Sequence, residues 1–199
     1  MQVIRLVNTF YTSNTYVLSC EDCPHVWLVD CGDYVSQVKS LIGGRKVLGV
    51  LLTHTHSDHI YGLVDLLEDF PDARIFTNDF GILALGDSRL NLSHYHSEVP
   101  DLSIKSERNF VSVDEGADIQ VSEDLSASVL ATPGHDKSCL SYLIGDHMFT
   151  GDSYIPGERL VAIFPNSDRT QATASYNRHL ELSKKFVVCP GHGEIVCNE

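Results

Sequence analysis

Thr53-His54-Thr55-His56-Ser57-Asp58-His59 follows directly on Val47–Leu52, a β-branched and leucine run of strand length. Downstream, Ile60, Leu63, Val64 and Leu67 recur at i, i+3, i+4 and i+7, one face of a helix ending near Phe70-Pro71. The seven residues therefore form a strand-to-helix turn. In extended chain His54 and His56 project to one side, because side-chain direction alternates with period two. Where the chain turns into the helix, Asp58 and His59 can point back into the same space. Three imidazoles and a carboxylate in six residues can supply ligands for two metal ions of borderline softness.

Three other strand ends repeat this placement. Ala127–Ala131 runs into Thr132-Pro133-Gly134-His135, His147–Thr150 into Gly151-Asp152, and Phe186–Cys189 into Pro190-Gly191-His192-Gly193. Each apolar strand closes in a glycine-containing turn that carries one His or Asp. Ligand sites of α/β sheets gather at the carboxyl ends of strands. Further strands are expected at Met1–Val7, Tyr16–Cys20, His25–Val29, Arg74–Thr77, Ser126–Ala131 and Ser138–Ile144, with a hairpin turn at Glu21-Asp22 and a helix over Thr170–Lys185. Strands and helices alternate in both halves, which predicts an α/β architecture. No Pro/Gly/Ser linker divides the chain, so residues 1–199 are read as one domain. The polar segment from Ser88 to Phe110 is longer than ordinary connections, as a mobile loop or a functional flap would be.

Composition limits the function classes. The 199 residues carry 14 Lys+Arg against 27 Asp+Glu, a net charge of −13. That balance argues against binding nucleic acid through phosphate neutralisation and against docking on an anionic membrane. With 43% hydrophobic residues the chain is too apolar for disorder and long enough for a real core. No apolar stretch approaches the length of about eighteen residues that a membrane span needs. The opening MQVIRLVNTFYTSNTYVLSC does not read as a signal peptide, so a cytoplasmic location and reduced cysteines are expected.

As a set, His54-x-His56-x-Asp58-His59, His135, Asp152 and His192 resemble the metallo-β-lactamase fold superfamily, and Val29-Asp30-Cys31-Gly32-Asp33 resembles its early motif. The resemblance implies an αββα sandwich with the site along one edge of two packed sheets. It also implies that His54, His56 and His135 bind one metal, that Asp58, His59 and His192 bind a second, and that Asp152 bridges them. Ala131-Thr132-Pro133-Gly134-His135 and Phe149-Thr150-Gly151-Asp152-Ser153 are most similar to glyoxalase II (hydroxyacylglutathione hydrolase). The chain ends seven residues after His192, so the helical C-terminal domain with which glyoxalase II grips glutathione is expected to be absent.

The function so implied is hydrolysis of a thioester, such as S-lactoylglutathione, through a metal-bridging hydroxide. Lactones or other esters, and the iron-dependent persulfide dioxygenases of the same fold, are the alternatives. Zinc leads as the metal, with iron and manganese open. Two divalent ions, two Asp and a hydroxide leave roughly +1 at the site, which would suit a small anionic acyl substrate. Asp58 and Asp30 are the catalytic candidates: Asp58 to orient the hydroxide or relay its proton, in addition to ligating the second metal, and Asp30 to accept the free N–H of a ligating imidazole. Tyr154 and Arg159 are candidate substrate contacts. His94-Tyr95-His96 reads as loop or pocket rim, Cys20-x-x-Cys23 as a hairpin with two free thiols, and His25, His147 and His179 as structural or surface residues. Asp114, Glu115, Asp118, Glu123 and Asp124 read as solvated turns.

Overall fold

A computed structural model describes residues 1–20, 23–106 and 108–197. The Glu21-Asp22 turn lies outside the described residues. Strands β1 (Gln2–Val7), β2 (Asn14–Ser19), β3 (His25–Val29), β4 (Lys46–Leu51), β5 (Arg74–Thr77) and β6 (Phe110–Ser112) form one sheet in that order. The first three run antiparallel and β3 to β6 run parallel. A second sheet has the order β11-β10-β9-β8-β7, from β7 (Asp118–Ser122), β8 (Leu125–Ala131), β9 (Leu140–Ile144), β10 (His147–Gly151) and β11 (Val187–Pro190). Only the β10–β11 pair in it is parallel.

Side-chain alternation builds the layers. On β3, Trp27 and Val29 pack between the sheets with Tyr16, Leu51, Phe76, Tyr142 and Phe149. Val26 and Leu28 face the other way, into a core with Val38, Ile42, Leu63, Leu66 and Leu85 of the helices α1 (Ser36–Ile42), α3 (Leu63–Asp69) and α4 (Asp79–Leu85). Met148 and Val188 of the second sheet face outward to Tyr176 and Leu182 of α5 (Arg169–Leu182). Helices thus cover both outer faces of a two-sheet sandwich, the αββα arrangement. Central strands buried on both faces read as unbroken apolar runs rather than alternating ones.

The structure corrects several expectations. The single helix after the histidine run is two, α2 (Ser57–Ile60) and α3, broken at Tyr61-Gly62. There the backbone bonds to a neighbouring strand end instead: Cys31 N donates to His59 O and Gly62 N to Cys31 O. Gly62 lies so close that a Cβ would meet Asp33 C at 2.6 Å and Cys31 Sγ at 2.8 Å. Asp118 opens β7 rather than a turn, and Glu115 pairs with Arg178 at 2.8 Å. Cys20 and Cys23 are joined as a disulfide, not free thiols. Within the long polar segment, Leu102 and Ile104 enter the core and the Asn91 amide donates to Ala84 O and Leu102 O, while Leu92 and His96 line the cavity described below.

The first hairpin also holds the last strand. Asn14 N donates to Gly191 O, and the Asn14 amide and the Tyr16 hydroxyl both donate to Pro190 O. Ser13 bridges His192. Among the described residues no helix is long and apolar enough to cross a membrane.

Candidate metal centre

Beyond the carboxyl end of β4, His54, His56 and His59 are all buried, and Asp58 is nearly so. His135 follows β8, Asp152 follows β10, and His192 follows β11. These strand ends belong to both sheets, so the seven side chains meet along one edge of the sandwich. Donor atoms of three groups lie within 4.8 Å of one another: His54, His56 and His135; His54, His59 and Asp152; and Asp58, His59 and His192. Asp152 stands between the groups, 3.6 Å from His59 Nε2, 3.6 Å from His135 Nε2 and 3.5 Å from His192 Nε2. Gly191 permits this closeness, since a Cβ there would overlap Asp152 Oδ1.

Neighbouring groups fix which ring nitrogens face the cluster. His59 Nδ1 sits 2.9 Å from Asp30 Oδ2, leaving Nε2 buried without a hydrogen-bond partner. His54 Nδ1 lies 3.2 Å from Thr53 Oγ1, again leaving Nε2 unpartnered. His135 Nδ1 meets Val161 O at 3.0 Å, and its Nε2 is 3.1 Å from His56 Nδ1. His56 Nε2 faces Asp136 Oδ2 at 3.7 Å. Asp136 was absent from the sequence reading, although it directly follows His135. Its Oδ1 takes both the N–H and the hydroxyl of Ser138, which in turn bonds Thr55. This ties the two histidine turns together.

Asp30 occupies left-handed backbone at φ 56, uncommon for a non-glycine residue. Its two oxygens also accept from Thr53 N at 2.7 Å and Thr53 Oγ1 at 2.6 Å. Burial pushes its carboxyl up from the usual range, against the pull of His59 and Thr53. Burial also raises Asp58 and Asp152, but His59 and His192 outweigh it and hold both below the ordinary carboxylate range. Burial, reinforced by neighbouring imidazoles, pushes His54 and His135 down. Burial also lowers His59 and His192, but the Asp58 and Asp152 carboxylates outweigh it and raise them to about 9 and about 10, so a divalent cation would take the place of their protons beside the neutral His54 and His135. Each buried polar atom left unpaired costs about 1–3 kcal/mol. Unpartnered His54 Nε2, His59 Nε2 and Asp152 Oδ1 therefore fit residues built around a cation.

A cavity of about 310 Å³ opens on this cluster. Tyr154 and Arg159 both line it, as do His96 and Ser57. Tyr154 is buried and stacks on His179 of α5, while Arg159 is exposed. Phe164, unforeseen in the sequence, stands edge-on to His56 at 4.9 Å and His135 at 5.4 Å between ring centroids. His94 points to solvent and pairs with Asp101 at 3.0 Å.

An αββα sandwich with clustered His and Asp at one edge defines a metal-binding protein of the metallo-hydrolase type. The model of the metallo-beta-lactamase superfamily matches residues 8–192, and the chain belongs to that superfamily. A probable metallo-hydrolase of Streptococcus pyogenes is 26% identical over the whole chain and 88% of its own length. Hydroxyacylglutathione hydrolase of Xylella fastidiosa is 29% identical over 86% of this chain, which spans only 56% of that relative. The crystal structure of the BLEG-1 B3 metallo-beta-lactamase superposes with a TM-score of 0.82 at 22% identity, covering 98% of this chain and 93% of its own.

Proposed function

We propose that the chain is a dinuclear metal-dependent hydrolase of acyl thioesters. The observation carrying this reading is the meeting of the three donor groups, with Asp152 in reach of both sides of the cluster. His54, His56 and His135 would hold one divalent ion and Asp58, His59 and His192 the other, with Asp152 shared. Zinc suits this donor set, as do iron and manganese. Two bound ions would supply an acidified water and a Lewis acid for the acyl carbonyl.

The chain's own residues do the rest. Asp30 accepts from His59 Nδ1 and so aims Nε2 at the cluster. Thr53 and the Val161 carbonyl do the same for His54 and His135. Asp58, ionised and partly open to the cavity, would take a proton from water at its carboxylate. Phe164 keeps water from the flank of His56 and His135. Exposed Arg159 would meet an anionic group of the substrate at the rim. The hydroxyacylglutathione hydrolase relatives support the thioester choice, but part of their length lies beyond the match, so glutathione as carrier is a further proposal.

Metal content and hydrolysis of S-lactoylglutathione and simpler acyl thioesters test the reading on purified protein. Two divalent ions per chain with chelator-sensitive hydrolysis are expected. Two ions without thioester hydrolysis would overturn it, and one iron with thiol-dependent oxygen uptake would favour a persulfide dioxygenase.

A further inference from the structure

We propose that the cavity beside the metal-ligand cluster is an acyl subsite for an apolar chain of medium length, walled on one side by the Tyr11–His96 pair. This rests on the thioesterase reading above and specifies its substrate. At about 310 Å³ the cavity is at the small end of ligand pockets, sized for one chain rather than for a whole peptide carrier. Apart from the cluster itself, the only charged side chains lining it among the described residues are Glu158 and Arg159, both exposed at the rim. Leu92, Ile155, Leu160 and Phe164 supply much of the rest of the lining, beside the polar groups of Ser57, His96 and Tyr154, and Phe164 carries the apolar wall right up to His56 and His135.

Two strained loops build the outer wall. Leu92 has φ 66 yet is only 6% exposed. Left-handed backbone costs a branched residue of this kind free energy, and surrounding structure must hold it. The Asn91 amide and the hydrogen bond from Leu102 N to Ser93 Oγ do so. Tyr11 has φ 51, and its hydroxyl meets His96 Nδ1 at 3.0 Å. Phe10 packs edge-on against Tyr11, Tyr61 and His96, and Asp33 fixes the loop by accepting from Thr9. Loops 85 residues apart in sequence are thereby joined over the cavity. The carrier thiol stays outside, within reach of Arg159.

Two ligand series on the metal-loaded protein test this. N-acetylcysteamine thioesters from acetyl to octanoyl give kcat/KM, and the matching thioethers, which cannot be hydrolysed, give affinity by calorimetry. Both quantities should rise about threefold to fourfold per added methylene until the cavity is full. Leu160→Asp should flatten both slopes, and Tyr11→Ala should weaken the longest chains most. A flat dependence on length in both series, or a lactoyl thioester preferred over octanoyl, would overturn the subsite. Should thioethers bind more tightly with length while no thioester is cleaved, the subsite stands and the hydrolase reading falls. Cleavage with no length dependence means the reverse.

Discussion

At the scale of single residues, Asp30 joins the backbone to the candidate metal centre. Its carboxylate satisfies Thr53 N, Thr53 Oγ1 and His59 Nδ1 together. Asp30→Ala leaves a buried backbone N–H and a buried imidazole N–H without acceptors, a loss of about 2–4 kcal/mol. The freed His59 ring can also turn or change tautomer. Metal affinity should therefore fall about 10- to 100-fold, measured by competition with a chromophoric chelator. Unchanged affinity would show that His59 needs no such support. Asp30 was legible as a strand-end carboxylate in Val29-Asp30-Cys31-Gly32-Asp33. Asp136 was not, because a lone Asp after a histidine has no spacing that separates it from an ordinary turn. Phe164 was hidden for the same reason: it reaches His56 across more than a hundred residues of chain.

At the scale of elements, α5 carries one source of acid sensitivity that lies apart from the metal-ligand candidates. His179 is fully buried, its Nε2 2.8 Å from Ser141 Oγ and its ring stacked against Tyr154. Burial pushes its pKa from 6.5 down to about 4. A histidine depressed in the folded state binds fewer protons there than when unfolded. Its stabilising contribution is therefore complete above pH 6.5 and is lost as the pH falls toward 4. The shift corresponds to about 3 kcal/mol. His179→Gln should be less stable at neutral pH but lose less between pH 6.5 and 4, in urea titrations run with chelator in both samples. Equal slopes would remove His179 from the account. Strands with long apolar runs, β3 and β4 above all, were readable from sequence to within a residue or two. The three-residue β6 is too short to carry a pattern, and β7 was masked by the acidic residues around it. The break between α2 and α3 was invisible, since the apolar spacing runs through it and only the contact with Cys31 stops the helix.

On the scale of the whole molecule, the cluster acts as a clasp between the sheets. Ligand-bearing turns from β4 on one side and β8, β10 and β11 on the other converge with buried atoms unpaired. Ions that bind the folded chain alone add about 4 kcal/mol when free metal is a thousandfold above Kd. Thorough chelation should lower Tm by several degrees, and stoichiometric divalent metal should restore it. A Tm indifferent to chelator would mean that the cluster holds no ion under those conditions. The two-sheet sandwich could not be derived from periodicity, because layer stacking depends on contacts between distant segments. Family resemblance supplied it, and the alternation of Trp27 and Leu28 to opposite cores explains it physically.

The hold of Asn14 and Tyr16 on Pro190 and Gly191 also bears on how the protein is made. During translation the His54–His59 stretch leaves the ribosome long before Pro190 and His192 are added. Until then the first hairpin lacks its partners at the end of β11, and the donor group of Asp58, His59 and His192 cannot close. Pairing across such a separation is slow because chain entropy must be given up first. Completion of that donor group is thus a late event in the nascent chain's history, and a chain arrested short of Pro190 lacks both His192 and the hold on its first hairpin.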